Sequence, residues 1–146
     1  MKKTIFSLLF SMGSLLSYGQ IWHTNFDTAK AEALAANKPI IMAFQGSDWC
    51  APCIKLDKEI WHSKAFIDYA ESHYVLLKVD FPRRRENKLS KEQQAHNGSL
   101  AERYNQQGTF PLVLVFDANA KLLGQTSYKK VTPDEYLTTL NTFLNQ

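Results

Sequence analysis

Residues 40–53 read IIMAFQGSDWCAPC: an apolar run, a short polar break and then two cysteines separated by two residues. The run at residues 40–44 has the length of a strand and no alternation, which favours a strand buried on both faces in the middle of an α/β sheet. A roughly helical pattern follows over residues 51–61. The sequence therefore predicts a buried strand followed by a helix, with Cys50 and Cys53 in the first turn of that helix.

The composition is that of one packed domain. The chain has 146 residues, 45% of them apolar and 21% charged, which excludes a mostly disordered chain and suits a single core. It has 17 basic and 14 acidic residues, and loss of Lys2 and Lys3 with a leader leaves 15 against 14, a balance of +1. A net charge of +1 produces too weak an electrostatic field to indicate nucleic acid or an anionic membrane as a partner.

The first 19 residues are typical of a secretory signal peptide. Lys2 and Lys3 precede a short apolar stretch, and Ser17 and Gly19 place small residues before a predicted cleavage after Gly19. About 20 apolar residues are needed to span a bilayer, so we expect no stable membrane insertion after cleavage. An N-terminal helix retained in the fold is the alternative. We predict a periplasmic or secreted protein, in a compartment where disulfides persist.

The rest of the chain alternates between helical and strand patterns. Helices are predicted at residues 27–37 with Asp27 as N-cap and at 63–72. A weaker helix is predicted with its centre at residues 100–105, and a last one begins at a capping box formed by Thr132, Pro133 and Glu135. Strands are predicted at residues 75–81, 112–116 and 121–127, the last two joined by a turn at 117–120. Residues 82–90, with three consecutive arginines, are expected to form a solvated loop. This order implies an α/β fold with a mixed central sheet flanked by helices on both faces.

The cysteine pair has three interpretations: a redox couple, half of a metal site, or a structural staple. A zinc site needs four ligands and the usual second pair is absent, with His62 nine residues beyond Cys53, so no metal is expected. Closing a four-residue loop contributes only about 2 kcal/mol, against about 4.7 kcal/mol for a loop of about a hundred residues, so a staple is also weak.

The redox interpretation explains where the pair lies. Unpaired N–H groups and the positive end of the dipole at a helix start favour a cysteine thiolate, and Pro52 suits early helix geometry. We assign Cys50 as the nucleophile, expected to be anionic and open to solvent, and Cys53 as the resolving thiol that attacks a mixed disulfide on Cys50.

On these residues the chain resembles the thioredoxin family. The resemblance rests on the strand at 40–44, on Trp49-Cys50-Ala51-Pro52-Cys53, on Thr109-Phe110-Pro111 before a strand and hairpin, and on the terminal helix. It covers about residues 22–145 and implies that residues 20–146 form one thioredoxin-like domain.

The resemblance also implies roles for residues outside the cysteine pair. It makes Pro111 a cis-proline facing the pair, and Phe110 the residue whose backbone contacts an extended substrate segment. Trp49 is expected to cover the motif, with a core tryptophan as the alternative. The lead-in at residues 46–49 is more similar to exported thioredoxin-like proteins than to the cytosolic reductant.

One family feature is missing. Thioredoxins carry a buried aspartate on the strand before the motif, which is thought to help deprotonate the inner cysteine. Counting back from Cys50, the matching position is Ala43 if residues 46–49 contain one residue more than in the family, and Phe44 if they do not. Neither side chain ionises. The proton acceptor is therefore open, with Asp48, Glu59 or water as candidates.

Together these observations predict an exported thiol–disulfide oxidoreductase that reduces protein disulfides through Cys50 and Cys53. The direction of the exchange, reducing or oxidising, is left open, because a proline at position 52 is typical of the reducing members whereas the compartment is oxidising. An oxidase or isomerase of the same fold is one alternative. A non-catalytic module that binds a peptide or partner in the cleft beside Phe110 and Trp49 is another. We expect no cofactor, a monomer, and a membrane protein as candidate electron donor.

Overall fold

The computed structural model describes residues 20–145. The predicted signal peptide and its cleavage site at Gly19 lie outside the described residues, as does Gln146. The strands are β1 (Trp22–His23), β2 (Ile40–Gln45), β3 (Val75–Asp80), β4 (Leu112–Phe116) and β5 (Leu122–Thr126). The α-helices are α1 (Phe26–Ala36), α2 (Ala51–Leu56), α3 (Lys64–His73), α4 (Lys91–Tyr104) and α5 (Pro133–Leu144). A π-helical turn (Asp57–Trp61) continues α2, and a 3-10 turn (Arg85–Asn87) precedes α4.

The five strands form one mixed sheet in the order β1-β3-β2-β4-β5. β3 pairs in parallel with both β1 and β2, whereas β4 runs antiparallel to β2 and to β5. β2 is therefore the central strand, and this confirms the predicted mixed sheet with a C-terminal hairpin.

The core lies on both faces of β2, because successive side chains of a strand point to opposite sides. Ile41 and Ala43 belong to a cluster with α2, α3 and α5, and Ile40, Met42 and Phe44 belong to a second cluster with α1 and α4. All six residues of β2 are buried. The prediction from the apolar run is confirmed, since helices cover both faces of the sheet. No helix among residues 20–145 has the length and apolar character needed to cross a bilayer.

Two sequence predictions about element boundaries were wrong, and one short strand was not predicted. The N-cap of α1 is Asn25, whose Oδ1 accepts the Thr28 N–H at 3.0 Å, while Asp27 lies inside the first turn and pairs with Lys30. Helix α4 begins after Ser90 and spans Lys91–Tyr104, so its centre lies before the predicted centre at residues 100–105. The two-residue strand β1 was not predicted, because it is too short to carry a periodic signal.

The predicted caps of two other helices are confirmed. Ser63 caps α3 by accepting the Phe66 N–H, and the predicted capping box opens α5, with Thr132 and Glu135 each accepting a backbone N–H of the other. These signals succeed because a cap is decided by residues within one turn of each other.

Candidate active site

The cysteine pair lies at the carboxyl end of the central strand. A turn follows β2, in which the Cys50 N–H donates to the Gly46 carbonyl at 2.9 Å. Cys50 is the N-cap of α2, in extended conformation, and its Sγ accepts the Cys53 N–H at 3.3 Å. Ala51 and Pro52 form the exposed first turn of α2. The predicted placement of the pair at a helix start is confirmed.

The two cysteines are joined by a disulfide, with their Cα atoms 5.2 Å apart. Cys50 is 5% exposed and Cys53 is 3% exposed. The prediction that the Cys50 sulfur is open to solvent was therefore wrong for this oxidised form. The physical reason is the bond itself, which ties the Cys50 sulfur to a residue on the buried side of α2. The surroundings of the pair are more open, since Ile54 is 47% exposed.

Trp49 is held at the rim of the site by contacts from a distant loop. Its indole N–H donates to the Phe81 carbonyl at 2.7 Å, and the guanidinium of Arg83 lies 3.7 Å from the ring centroid. The Phe110 ring contacts its edge, with centroids 5.5 Å apart. A Cβ at Gly46 would overlap the indole, so this close approach requires glycine. Trp49 is half-buried and outside both core clusters, and sequence reasoning had assigned no role to Phe81 or Arg83.

The Phe110–Pro111 peptide bond is cis, as predicted. Leu112, the next residue, pairs with Phe44 of β2, so Pro111 lies at the same end of the sheet as the cysteine loop. The Pro111 carbonyl accepts the Ser127 hydroxyl at 2.6 Å, and the Tyr136 hydroxyl donates to the Ser127 carbonyl at 3.1 Å. The segment before β4 is thereby tied to α5.

The buried amide of Asn105 fixes the other side of this segment. Its Oδ1 accepts the Thr109 N–H and its Nδ2 donates to the Thr109 carbonyl, both at 2.9 Å. Phe110 itself is half-buried, and within residues 20–145 no hydrogen bond involves its backbone N–H or carbonyl. Sequence reasoning missed Asn105, which gives no periodic or motif signal.

Two of the candidate proton acceptors have other partners. The carboxylate of Asp48 accepts the N–H groups of Arg83 and Arg84 at 2.9 Å and the Asn87 amide at 3.0 Å. The Arg83 N–H, followed by the Asn87 amide, holds the pKa of Asp48 below its ordinary value. Glu59 accepts the Tyr128 hydroxyl at 2.6 Å. Asp48 therefore stabilises the loop at residues 83–87, from which Arg83 contacts Trp49. Glu59 is held by Tyr128, in the segment before α5.

A small cavity lies beside the inner cysteine. Its volume is about 140 Å³, and its walls are formed by Gln45, Ser47, Cys53, Ile54, Asp57 and Lys78. Two charged groups thus share a space with Cys53, and the sequence analysis named neither of them.

The chain resembles known proteins in sequence and in fold. A sequence model of a family described as thioredoxin-like matches residues 21–118. The chain belongs to the thioredoxin-like family. It is 37% identical over 93 residues to a protein of Chlamydia pneumoniae named disulfide bond reductase DsbH, covering 64% of this chain and 54% of that protein. It therefore spans about half the length of this relative.

A second relative and two solved structures also resemble the chain. The chain is 32% identical over 65 residues to the thioredoxin-related protein DsbJ of Chlamydia pneumoniae, covering 44% of this chain and 19% of that protein. A structure described as DsbH oxidoreductase superimposes with a TM-score of 0.80 and 27% identity, over 97% of this chain and 95% of that one. A putative disulphide-isomerase of Bacteroides thetaiotaomicron gives 0.63 at 20% identity, over 88% and 95%. The thioredoxin fold thus extends through β5 and α5, beyond the range that the family model matches.

Proposed function

We propose that this protein is an exported thiol–disulfide oxidoreductase that reduces disulfides in other proteins through Cys50 and Cys53. The observation that carries the proposal is the disulfide at the start of α2, at the same end of the sheet as the cis Phe110–Pro111 bond. Membership of the thioredoxin-like family and the likeness to a protein named disulfide bond reductase support it.

The reaction runs in two exchanges from the reduced protein. The Cys50 thiolate attacks one sulfur of a client disulfide, the client S–S bond breaks, and a mixed disulfide forms on Cys50. Cys53 then attacks the Cys50 sulfur, the mixed disulfide breaks, and the client leaves with two thiols. The protein ends as the Cys50–Cys53 disulfide. The Cys53 N–H that reaches the Cys50 sulfur at 3.3 Å is placed to stabilise the first thiolate.

The surface beside the pair suits an extended client segment. The unpaired backbone groups of Phe110 can form main-chain hydrogen bonds of the kind that a sheet edge makes with an added strand. Ile54 offers an exposed apolar contact on the other side of the pair, and the Trp49 indole lies against Phe110. Trp49, Phe110 and Pro111 are therefore proposed as substrate-binding residues.

Compartment, direction and partners belong to the same proposal. The signal-peptide pattern of residues 1–19 supports export to the periplasm or outside the cell. The reducing direction follows the name of the DsbH relative and the proline of the motif. A reductase in an oxidising compartment needs a source of electrons, for which a membrane protein is the candidate donor.

The test is reduction of insulin by dithiothreitol, with wild type, Cys50→Ser and Cys53→Ser. We expect acceleration by wild type only, and mixed disulfides with clients that accumulate on Cys53→Ser. Adducts on Cys50→Ser alone would show that the two roles are inverted.

The buried disulfide favours the second candidate, a binding module whose pair stays locked. Equal insulin reduction by wild type and Cys50→Ser would support that module. Titration of the pair against glutathione tests the direction: a potential near −270 mV supports a reductase, and one near −120 mV an oxidase.

A further inference from the structure

The wall of the cavity beside Cys53 holds a carboxylate with an unusual environment. The Oδ1 atom of Asp57 is inaccessible to solvent and has no hydrogen-bond partner within residues 20–145. Burying an unpartnered carboxylate oxygen is costly, which is why such atoms are rare and often have a chemical role. The cavity of about 140 Å³ that Asp57 shares with Cys53 is large enough for several water molecules.

Asp57 is held close to Cys53 by the helix that carries both. Its N–H donates to the Cys53 carbonyl, so the two residues are one helical turn apart and project on the same side. The side chain lies where α2 changes into the π-helical turn, and departures of this kind from regular helix frequently mark functional sites. This helical turn therefore places the carboxylate next to the inner cysteine.

Charged groups from other elements also face this carboxylate. Lys78 of β3 places its Nζ 3.6 Å from Oδ1, and the exposed His62 ring, at the end of the π-helical turn, lies 3.1 Å from Oδ2. Farther along β3, Asp80 is engaged by the Ser47 N–H and hydroxyl. Lys78 supplies a compensating positive charge, so an ionised Asp57 is not an isolated charge in the wall.

The sheet register explains why a carboxylate is needed at this place. Ala43 of β2, one of the two positions where the sequence lacks the expected aspartate, lies directly opposite Lys78 of β3. The lysine thus has no acidic neighbour across the strand pair, and its acidic partner comes from the helix. The carboxylate that lines the cavity comes instead from Asp57, at the start of the π-helical turn.

We propose that Asp57 accepts the proton of the Cys53 thiol when Cys53 resolves the mixed disulfide. This rests on the proposed function and names the acceptor that it lacks. The S–H proton passes to the carboxylate through the cavity, and the resulting Cys53 thiolate attacks the Cys50 sulfur. The bond between Cys50 and the client breaks, the client sulfur leaves as a thiolate, and the proton on Asp57 returns to solvent.

The test follows the mixed disulfide directly. Reduced wild type, Asp57→Asn and Cys53→Ser are mixed with a disulfide-containing peptide, quenched with acid, and analysed by mass spectrometry. At pH 7 we expect Asp57→Asn to form the adduct at the wild-type rate but to resolve it about a hundredfold more slowly, the lower end for general base catalysis. Asp57→Glu should restore most of the rate.

The pH profile separates a proton acceptor from a structural residue. A cysteine thiol ordinarily loses its proton near pH 8.5, so above about pH 9 solvent replaces the carboxylate and the two rates should converge. A misfolded variant would instead be slow at every pH, and a pH-independent ratio overturns the proposal. Asp68→Asn, which removes an exposed carboxylate from α3, is the matched control and should behave as wild type.

The two proposals fail in different ways. If Cys53→Ser traps no adduct with the peptide and wild type does not reduce the peptide, the oxidoreductase itself is refuted. If wild type forms and resolves the adduct while Asp57→Asn resolves it equally fast at pH 7, only the role of Asp57 is refuted.

Discussion

Replacing Gly46 by alanine tests how the indole of Trp49 is held at the rim of the site. The new Cβ would lie 2.5 Å from Nε1 and 2.6 Å from Cζ2 of the indole, whereas ordinary contacts need about 3.5 Å or more. The ring must therefore shift by about 1 Å. Its hydrogen bond to the Phe81 carbonyl, now 2.7 Å, and its stacking with Arg83 cannot both survive that shift.

The cost follows from these contacts. Overpacking costs about 1–3 kcal/mol and the lost hydrogen bond about 1 kcal/mol, so we expect Gly46→Ala to lower the free energy of unfolding by about 2–4 kcal/mol. Urea denaturation, followed by circular dichroism, measures it. Insulin reduction should fall as well, because the indole no longer packs against Phe110.

Gly98→Ala is the matched control. Nothing lies within 4 Å of a Cβ at this position in the middle of α4, so alanine should raise the free energy of unfolding by about 0.5–1 kcal/mol. Equal effects of the two substitutions, or a Gly46→Ala protein as stable as wild type, would refute the contact argument.

Three further predictions concern the surroundings of the site. Asn105→Ala removes both hydrogen bonds to Thr109 and should lower the free energy of unfolding by about 2 kcal/mol in urea, together with insulin reduction. Hydrogen bonds to the Asp48 carboxylate lower the pKa of Asp48 in the folded state. The stability that Asp48 contributes is therefore complete above the pKa of the unfolded chain, about 3.9, and is lost as the pH falls through the lower folded-state pKa. Thermal melts of wild type and Asp48→Asn should therefore differ at pH 6 and converge in strong acid. In the reduced protein, iodoacetamide should modify Cys50 at least about tenfold faster than Cys53, as peptide mapping would show, since a stabilised thiolate is the reactive form.

The parts of the fold that the sequence predicted correctly are decided locally or by strong periodicity. The buried strand β2, the capping box at Thr132 and the cysteine pair at a helix start each depend on neighbouring residues. The N-cap of α1 failed because Asn25 and Asp27 are both good capping residues two positions apart, and only the folded chain selects between them.

The missed parts of the site depend on contacts between distant segments. Asp57 gave no signal as a partner of Lys78, because the 20 intervening positions include all of α3 and the pairing exists only after β3 docks. The exposure of the Cys50 sulfur was predicted for a free thiolate, whereas in this structure the sulfur is bonded to Cys53 and the residue is 5% exposed.

The tie between Pro111 and α5 has a consequence for anyone who shortens this protein. Ser127, whose hydroxyl donates to the Pro111 carbonyl, and Tyr136, whose hydroxyl donates to the Ser127 carbonyl, both lie after residue 118, where the match to the family model ends. A fragment trimmed to that range would keep both cysteines and lose the clamp on the opposing segment. Tags and fusions are better attached where they leave the final helix free to dock.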